Sequence, residues 1–306
     1  MRQIEFGRTG KQVSVIALGL MRLNGLDDQA AARYIRKAID LGVTFFDHAD
    51  IYGGGTCEEI FGRNAKFTAA EREQVFIQSK CAIVPGKMYD FSKKHIIESV
   101  DGSLKRLQTE YLDALLLHRP DALAEPEEVA AAFDELEAAG KVRYFGVSNE
   151  NPYQIELLKT CVKQDIQANQ LQFSIPAANM VASGMEVNMT SPGSFDHDGF
   201  ILNYCRINHI TIQAWSPFQR PNWAGPFIGS DACPELNEAL TEIAKAYGVS
   251  ETTIAAAWVL RHPAKMQLIT GTVNEKHLEE ICQAADITLP REEWYRLSRS
   301  AGYQLP

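Results

Sequence analysis

The stretch Leu-Asp-Ala-Leu-Leu-Leu-His, residues 112–118, is a short apolar run that ends in a histidine. Six further runs of this kind end in a polar or aromatic residue or in a Gly-Thr pair, and a loop follows each. They are VTFFD (43–47), VFIQSK (75–80), RYFGVSN (143–149), IQANQ (166–170), ITIQAW (210–215) and QLITGT (267–272). Nearly continuous apolar runs separated by helical patterns are typical of parallel strands buried on both faces. The sequence therefore predicts an α/β fold.

The number and spacing of the runs favour a (β/α)8 barrel, the TIM barrel, with a first strand at residues 16–19. In such a barrel all strands end at one face, so residues far apart in the sequence meet in a single pocket. Residues 1–15 read as a β-hairpin that we expect to plug the barrel floor. Helical patterns between residues 236 and 300 predict extra C-terminal helices. Because α/β barrels of this length are routinely single domains, we expect one domain over residues 1–306.

Composition narrows the class of protein. With 23% charged and 45% hydrophobic residues, the chain is an ordinary globular protein, and no apolar stretch approaches the roughly 20 residues that span a bilayer. A net charge of −9 argues against nucleic acid as the main partner. The N-terminus lacks the apolar core of a signal peptide, and six scattered cysteines without a CxxC motif suit a reducing compartment. We therefore expect a cytoplasmic protein; its oligomeric state is open, and a monomer is compatible with the sequence.

Residues at three strand ends, with a tyrosine in the loop after the first, suit the protonation of a carbonyl oxygen. Tyr52 lies in a glycine-rich loop, and a phenol with a pKa of about 10 becomes a useful acid only if its anion is stabilised. Lys80 offers an ammonium for this purpose, and Asp47 on the neighbouring strand offers the counter-charge that a buried lysine needs. His118 is placed to donate a hydrogen bond to the same oxygen. The four residues predict a site that stabilises developing negative charge.

Two long loops are expected near this pocket. Residues 174–198 lack a clear helical or strand pattern, and we interpret them as a rim. The loop after Trp215 carries Phe218, Trp223 and Phe227, which suit a lid or a substrate wall. The acidic and histidine residues at 196–198 have no partner motif, so we predict a solvated loop there and no metal site.

These motifs resemble the aldo-keto reductase family, in its bacterial branch related to potassium-channel β subunits. The tetrad Asp47, Tyr52, Lys80 and His118, set in FDHADIYG, IQSK and LLLHRPD and followed by GKVRYFGVSN, carries the resemblance over essentially the whole chain. It implies a (β/α)8 barrel that reduces an aldehyde or ketone to an alcohol with NADPH. It also implies Tyr52 as general acid, Lys80 and Asp47 as the residues that tune it, and His118 as the residue that orients the carbonyl.

The resemblance extends to a cofactor site. The positions that it implies for NADPH are Met21, Asp47, Ser148, Asn149, Gln170, Trp215, Ser216, Pro217, Phe218, Gly271, Thr272, Asn274 and Glu280. Trp215 would stack on the nicotinamide, and the helix after Gly271 would receive a phosphate. The family frequently has lysine, arginine and asparagine where this chain has Gly271, His277 and Ile281. The choice between NADP and NAD therefore stays open, with Lys276, His277 or Arg220 as compensating cations.

Two other functions are compatible with the sequence. Lys80 could act as a Schiff-base nucleophile in a barrel lyase or aldolase, although the neighbouring Asp47 disfavours the neutral amine that this chemistry needs. Alternatively, the chain could be an NADPH-binding regulatory subunit with incidental catalysis, as the resemblance to channel β subunits allows. The intact tetrad favours an enzyme whose partner is a small carbonyl substrate.

Overall fold

The computed structural model describes residues 1–305, and eight parallel strands form a closed barrel at its centre. The strands are β1 (Gln3–Glu5), β2 (Gln12–Ser14), β3 (Ile16–Gly19), β4 (Phe45–Asp47), β5 (Phe76–Cys81), β6 (Ile83–Val84), β7 (Met88–Tyr89), β8 (Leu112–Leu117), β9 (Val142–Ser148), β10 (Ile166–Gln172), β11 (Thr211–Trp215) and β12 (Gln267–Thr270). The barrel runs in the order β3-β4-β5-β8-β9-β10-β11-β12, and β12 pairs with β3 to close it. The predicted (β/α)8 barrel is confirmed.

Helices alternate with the barrel strands. They are α1 (Asp28–Asp40), α2 (Thr56–Ala65), α3 (Ala69–Gln74), α4 (Lys93–Leu107), α5 (Pro126–Ala138), α6 (Pro152–Lys159), α7 (Asn179–Met185), α8 (Ile201–Ile207), α9 (Pro234–Tyr247), α10 (Glu251–Arg261), α11 (Glu275–Gln283) and α12 (Arg291–Ser300). Their starts follow the capping signals of the sequence. Asp27 accepts a hydrogen bond from the Ala30 N–H, Ser92 accepts one from the His95 N–H, and Pro126 occupies the first turn of α5.

The N-terminal hairpin of β1 and β2 closes the floor of the barrel, as predicted. Phe6 is fully buried, and its ring lies 4.9 Å from that of Phe76 and 6.0 Å from that of Phe45. Both residues begin their barrel strands. The Gly7 N–H donates to the Thr211 hydroxyl at 2.8 Å, so the hairpin is also fastened to the start of β11. These contacts leave the opposite face, where the strands end, for a site.

The structure differs from the sequence-based expectations in three places. Residues 174–198, for which no helix was expected, contain α7 and a short 3-10 turn at Pro192–Ser194. The hairpin of β6 and β7 after the fifth strand had no clear pattern, since each of its strands has two residues. Phe227, expected on a lid, is fully buried in the core.

Residues 196–198 form a loop. The Asp196 side chain accepts hydrogen bonds from the N–H groups of Asp198, Gly199 and Phe200. Within residues 1–305 there is no cluster of three His, Cys, Asp or Glu side chains arranged for a metal, and all six cysteines are unbridged. No helix of the described chain is long and apolar enough to cross a membrane.

Candidate active site

The tetrad residues meet at the carboxyl ends of three neighbouring strands. Asp47 ends β4 and lies in register with Gln78 of β5. Because side chains alternate along a strand, Lys80 faces the same side as Gln78, which is the barrel interior. Lys80 is fully buried, and Asp47 is 1% exposed. Adjacent parallel strands therefore bring together two opposite charges that are 33 residues apart in the sequence.

Lys80 donates hydrogen bonds to three acceptors. Its Nζ lies 2.8 Å from the Asp47 carboxylate, 2.7 Å from the His48 carbonyl oxygen and 3.2 Å from the Tyr52 hydroxyl oxygen. Burial by itself lowers the pKa of Lys80, but the Asp47 charge and the Tyr52 oxygen outweigh it and raise that pKa overall. Three acceptors match the three N–H bonds of an ammonium, so the site holds Lys80 in its charged form.

Tyr52 begins a 3-10 turn of residues 52–55 and is held beside Lys80 by it. Gly53 and Gly54 have φ angles of 58° and 65°, a left-handed conformation that suits glycine. Burial raises the pKa of Tyr52, whereas Lys80 opposes this shift and Asp47 adds to it. The sequence predicted only the stabilising effect of Lys80. In the structure desolvation is larger, and the phenol stays protonated at neutral pH.

His118 follows β8 and packs edge-on against Tyr52, with 5.9 Å between the ring centroids. Its backbone N–H donates to the Cys81 carbonyl oxygen at 2.9 Å. Burial, together with the charges of Lys80 and Arg119, lowers the pKa of His118 to about 2. The imidazole is therefore neutral at neutral pH. A neutral imidazole has one N–H, which can donate a hydrogen bond to a carbonyl oxygen, but it lacks the second N–H proton of an imidazolium.

A chain of buried glutamines supports Asp47 from below, and the sequence analysis missed it. Gln78 and Gln170 donate to Asp47 Oδ1 at 2.6 and 3.1 Å, and both also donate to Gln213. Gln213 donates in turn to Gln267 at 2.9 Å. The chain runs down the barrel interior and fixes the carboxylate. The signal was present, because each of these apolar runs contains an inward-facing glutamine.

A second buried cluster behind Lys80 was also missed. Glu58 is fully buried and accepts hydrogen bonds from the Ser79 hydroxyl at 2.6 Å and the Arg106 Nε at 2.8 Å. Burial and the Glu58 charge raise the pKa of the nearby Asp50 to about 7. Glu58 and Arg106 are 48 residues apart, and no local motif reveals such a pair.

The predicted nicotinamide residues form a connected group beside the tetrad. Asn149 donates to the Ser148 hydroxyl at 2.8 Å and to the His118 carbonyl oxygen at 3.5 Å, and it accepts from the Trp215 indole N–H at 3.1 Å. Ser148 donates to the Gln170 carbonyl oxygen. The side chain of Gln170, predicted to bind the nicotinamide amide, donates hydrogen bonds to Asp47 and Gln213.

Two other side chains lie against the ring of Trp215. The Trp223 indole stacks on it at 5.3 Å and 25°, and the Arg119 guanidinium lies 5.5 Å from the ring centroid. Trp223, which covers one face of the Trp215 ring, is 72% exposed and therefore lies at the surface. The next residues, Ser216 and Pro217, begin the loop of Phe218, which is half-buried against the core. A planar ligand that stacks on the same face of Trp215 has to displace Trp223.

Two side chains donate hydrogen bonds to the backbone that follows β12. Arg22 donates to the Gly271 carbonyl oxygen at 3.0 Å, and the Tyr34 hydroxyl donates to that of Thr272 at 2.5 Å. A Cβ at residue 271 would lie 3.0 Å from an Arg22 nitrogen. Asn274 caps α11 by accepting from the His277 N–H at 3.2 Å. A guanidinium, that of Arg22, therefore lies beside Gly271.

Three other predicted residues lie at the edge of this region. Met21 is 43% exposed, and its carbonyl oxygen accepts from the Cys57 thiol. Glu280 lies 3.9 Å from the ammonium of Lys276, one turn earlier in α11. Arg220 donates to the Ala224 carbonyl oxygen within the loop.

The geometry brings together a protonated phenol, a charged ammonium and a neutral imidazole. Such a set can stabilise and protonate an oxygen on which negative charge develops. The sequence pattern of the Aldo/keto reductase family matches residues 15–301. The chain belongs to the aldo/keto reductase family.

Relatives support the same family. This aldo/keto reductase is 33% identical to the 6-dehydroglucose reductase of Agrobacterium fabrum, over 94% of this chain and 93% of that protein. It is 30% identical to a probable voltage-gated potassium channel subunit beta of Oryza sativa, over 94% and 92% of the two chains. The crystal structure of the thermostable aldo-keto reductase Tm1743 with the inhibitor epalrestat matches with a TM-score of 0.78 and 29% identity, over 98% of this chain and 100% of that one. The predicted branch is confirmed.

Proposed function

We propose that this aldo/keto reductase reduces an aldehyde or ketone to an alcohol with NADPH, and that Tyr52 donates the proton. The observation that carries the proposal is the fully buried Lys80, whose ammonium lies between the Asp47 carboxylate at 2.8 Å and the Tyr52 hydroxyl at 3.2 Å. A structural salt bridge would need Asp47 alone. The third contact points the ammonium at the oxygen that becomes anionic when Tyr52 gives up its proton.

Each residue has a distinct part in the proposal. Tyr52 transfers its hydroxyl proton to the substrate oxygen, and Lys80 stabilises the phenolate that remains. Asp47, fixed by Gln78 and Gln170, keeps Lys80 charged and directed. His118 is neutral, since its pKa is about 2, and so acts as a hydrogen-bond donor that orients the carbonyl.

The residues present fit a nicotinamide dinucleotide. A half-buried indole, that of Trp215, stands in hydrogen-bonded contact with Asn149, which reaches the His118 backbone. When bound, the cofactor supplies the hydride. Trp215 would hold the nicotinamide ring, and Asn149 with Ser148 would hold its carboxamide. The proposed cofactor loop continues through Ser216, Pro217 and Phe218.

For the adenosine end we propose Gly271, Thr272 and the α11 N-terminus with its cap Asn274, flanked by Met21 and Glu280. Arg22 is a further cation, and we assign it to the 2′-phosphate that NADPH carries and NADH lacks, because it already lies against Gly271. This supports NADPH over NADH despite the departures from the family pattern. A single nearby arginine suits a phosphate better than a neutral ribose hydroxyl.

The substrate in this proposal is a small carbonyl compound. We also propose that residues 1–306 form a single domain, which binds and reduces it. Side chains at the ends of the strands and on the following loops include apolar Met21 and Trp223 together with charged Arg22 and Arg119. The relative named 6-dehydroglucose reductase makes a sugar aldehyde a reasonable first choice beside apolar carbonyls.

The Schiff-base alternative is disfavoured by the geometry of Lys80. All three of its N–H bonds have acceptors and its pKa is raised, so the neutral amine that attacks a carbonyl is scarce. The regulatory alternative keeps one specific argument, which is the similarity to a channel β subunit. It predicts tight cofactor binding with negligible turnover.

The test is a titration of the purified protein with NADPH and with NADH, followed through tryptophan fluorescence. 4-Nitrobenzaldehyde, 9,10-phenanthrenequinone or a sugar aldehyde is then added, and cofactor oxidation is recorded. We expect NADPH to bind more tightly and to be oxidised only when a carbonyl is present. Binding without oxidation would favour the regulatory alternative, and absence of binding would contradict the cofactor assignment.

A further inference from the structure

A cavity of about 310 Å³ lies on the outside of the barrel, away from the tetrad. Its walls come from α7, the start of α8, the end of α10 and the first turn of α12. None of the tetrad residues or of the proposed cofactor residues lines it. Its volume is at the small end of the range for ligand sites, roughly 300–1,000 Å³. The cavity is therefore separate from the carbonyl site.

Most of the cavity wall is apolar. Met180 and Met185 of α7 line the cavity together with Trp294 of α12 and with Phe200. Phe200 has a φ of 58° and is 45% exposed. A large aromatic residue rarely adopts a left-handed backbone, and its ring gains little from burial in the core here. The methionines add a wall that adapts to irregular ligands.

The polar part of the wall is cationic. Arg261 and Arg291 both line the cavity, and no Asp or Glu does. Arg261 donates through Nε to the Leu289 carbonyl oxygen at 2.6 Å. Its terminal guanidinium nitrogens form no hydrogen bond within the described part of the chain. Burial, with the charges of Arg206 and Arg261, lowers the pKa of His262 to about 4, so this histidine is neutral at neutral pH. The positive charge of the wall comes from the two arginines.

We propose that this cavity binds a small amphipathic carboxylate. The apolar part would lie against Met180, Met185 and Trp294, and the carboxylate would pair with Arg261 and Arg291. An arginine fork matches a carboxylate in geometry and charge. Neither guanidinium forms an ion pair within residues 1–305, so beside an apolar wall they select against neutral apolar molecules. A medium-chain fatty acid and an arylalkanoate share this chemistry.

Trp294 lines the cavity, so its fluorescence can report the binding of a ligand. Trp294 stacks on Trp258 at 4.9 Å and 3°, and Trp258 stacks on Phe173 at 5.2 Å and 25°. Phe173 directly follows β10, and its N–H donates to the Trp215 carbonyl oxygen at 3.2 Å. A ligand against Trp294 thus contacts the outer end of an aromatic stack that reaches a barrel strand end.

The first experiment compares octanoate, 4-phenylbutyrate and 1-octanol by calorimetry and tryptophan fluorescence on the full chain. We expect at least one acid to bind at least about tenfold more tightly than 1-octanol, because only the acids meet the arginines. The acid that binds more tightly identifies an aliphatic or an aromatic ligand. Binding of 1-octanol as tight as that of either acid, or absence of binding by both acids, would overturn the proposal.

Variants locate the binding. The double change Arg261→Gln and Arg291→Gln should reduce acid binding to the level of 1-octanol, whereas Arg299→Gln, an exposed arginine on the same helix, should leave it unchanged. Gly184→Leu is the second variant, since Gly184 lines the cavity and a Cβ there meets no atom within 4 Å. Leucine also favours the helix more than glycine does, so the fold is kept. Acid binding that survives Gly184→Leu would contradict this location.

Discussion

Replacing Asp47 by asparagine should reverse the way in which Lys80 contributes to stability across pH. In the wild type the pKa of Lys80 is raised above its unfolded value, so its contribution is complete below an unfolded pKa of about 10.4 and is lost only as pH rises through the folded pKa. Asp47→Asn removes the charge that raises this pKa. Burial then dominates and lowers it below the unfolded value. Between this lowered folded pKa and the unfolded pKa of about 10.4, the unfolded variant therefore binds one more proton at Lys80 than the folded variant does.

The magnitude follows from the contacts. The ammonium would keep the His48 carbonyl and the Tyr52 hydroxyl but lose the Asp47 carboxylate, and removing one partner of a buried pair costs about 3–5 kcal/mol. An asparagine also cannot accept from Lys80 and from Gln78 with separate oxygens, as Asp47 does. Once the pH exceeds the lowered folded pKa, Lys80 of the folded variant loses its proton, and the penalty then shrinks by up to about 1.4 kcal/mol for each pH unit until the unfolded pKa of about 10.4 is reached.

Urea unfolding of wild type and Asp47→Asn at several pH values between 7 and 10 measures this difference. Subtracting the wild-type curve removes the other titrating groups. The double variant Asp47→Asn with Lys80→Met is the control, because without the lysine the pH dependence of the penalty should vanish. A penalty that is the same at every pH would refute the reasoning.

Three further predictions follow from single contacts. Tyr52→Phe should lower carbonyl reduction by about 10²–10⁴-fold while the NADPH dissociation constant stays within about twofold, as steady-state kinetics and fluorescence titration would measure; an equal loss of binding would mean that Tyr52 supports the cofactor instead. Burial raises the pKa of Glu150 to about 7, so the folded state binds more protons than the unfolded state between about pH 4.5 and 7, and stability falls across that window. Glu150→Gln should therefore raise the free energy of unfolding by about 2–3 kcal/mol at pH 8 and leave it unchanged at pH 4; no gain at pH 8 in denaturant unfolding would count against a buried charge there. Phe6→Ala should lower that free energy by about 3–5 kcal/mol, because it empties the barrel floor, and a loss below about 1 kcal/mol would show that the hairpin is dispensable.

The barrel was predictable because each strand is an apolar run that ends abruptly in a chemically distinctive residue. Parallel strands need this pattern, since both of their faces are buried. The starts of α1, α4 and α5 are marked in the sequence by the caps Asp27 and Ser92 and by the proline at 126, because these signals depend only on neighbouring residues. Helix α7 was not visible, because its sequence NMVASGM lacks a cap and a clear apolar stripe.

Of the candidate site, the sequence indicated the pairing of Asp47 with Lys80 but not the buried residues that pack behind it. Lys80 and Asp47 stand out because an isolated charge at the end of a buried strand needs a partner. The pairing of Glu58 with Arg106 depends on how α2 packs on α4, which no short motif encodes. Phe227 was misplaced for a similar reason, since an aromatic residue in a loop has the same sequence whether it faces solvent or the core.

Transfer of a labelled hydride tests the central claim most directly. NADPH that carries deuterium at the transferred position of the nicotinamide is incubated with the protein and an aldehyde substrate, and the product is analysed by mass spectrometry. The account predicts an alcohol that contains one deuterium, formed by the wild type and scarcely by Tyr52→Phe. A product without deuterium, or a substrate-derived adduct on Lys80, would contradict it.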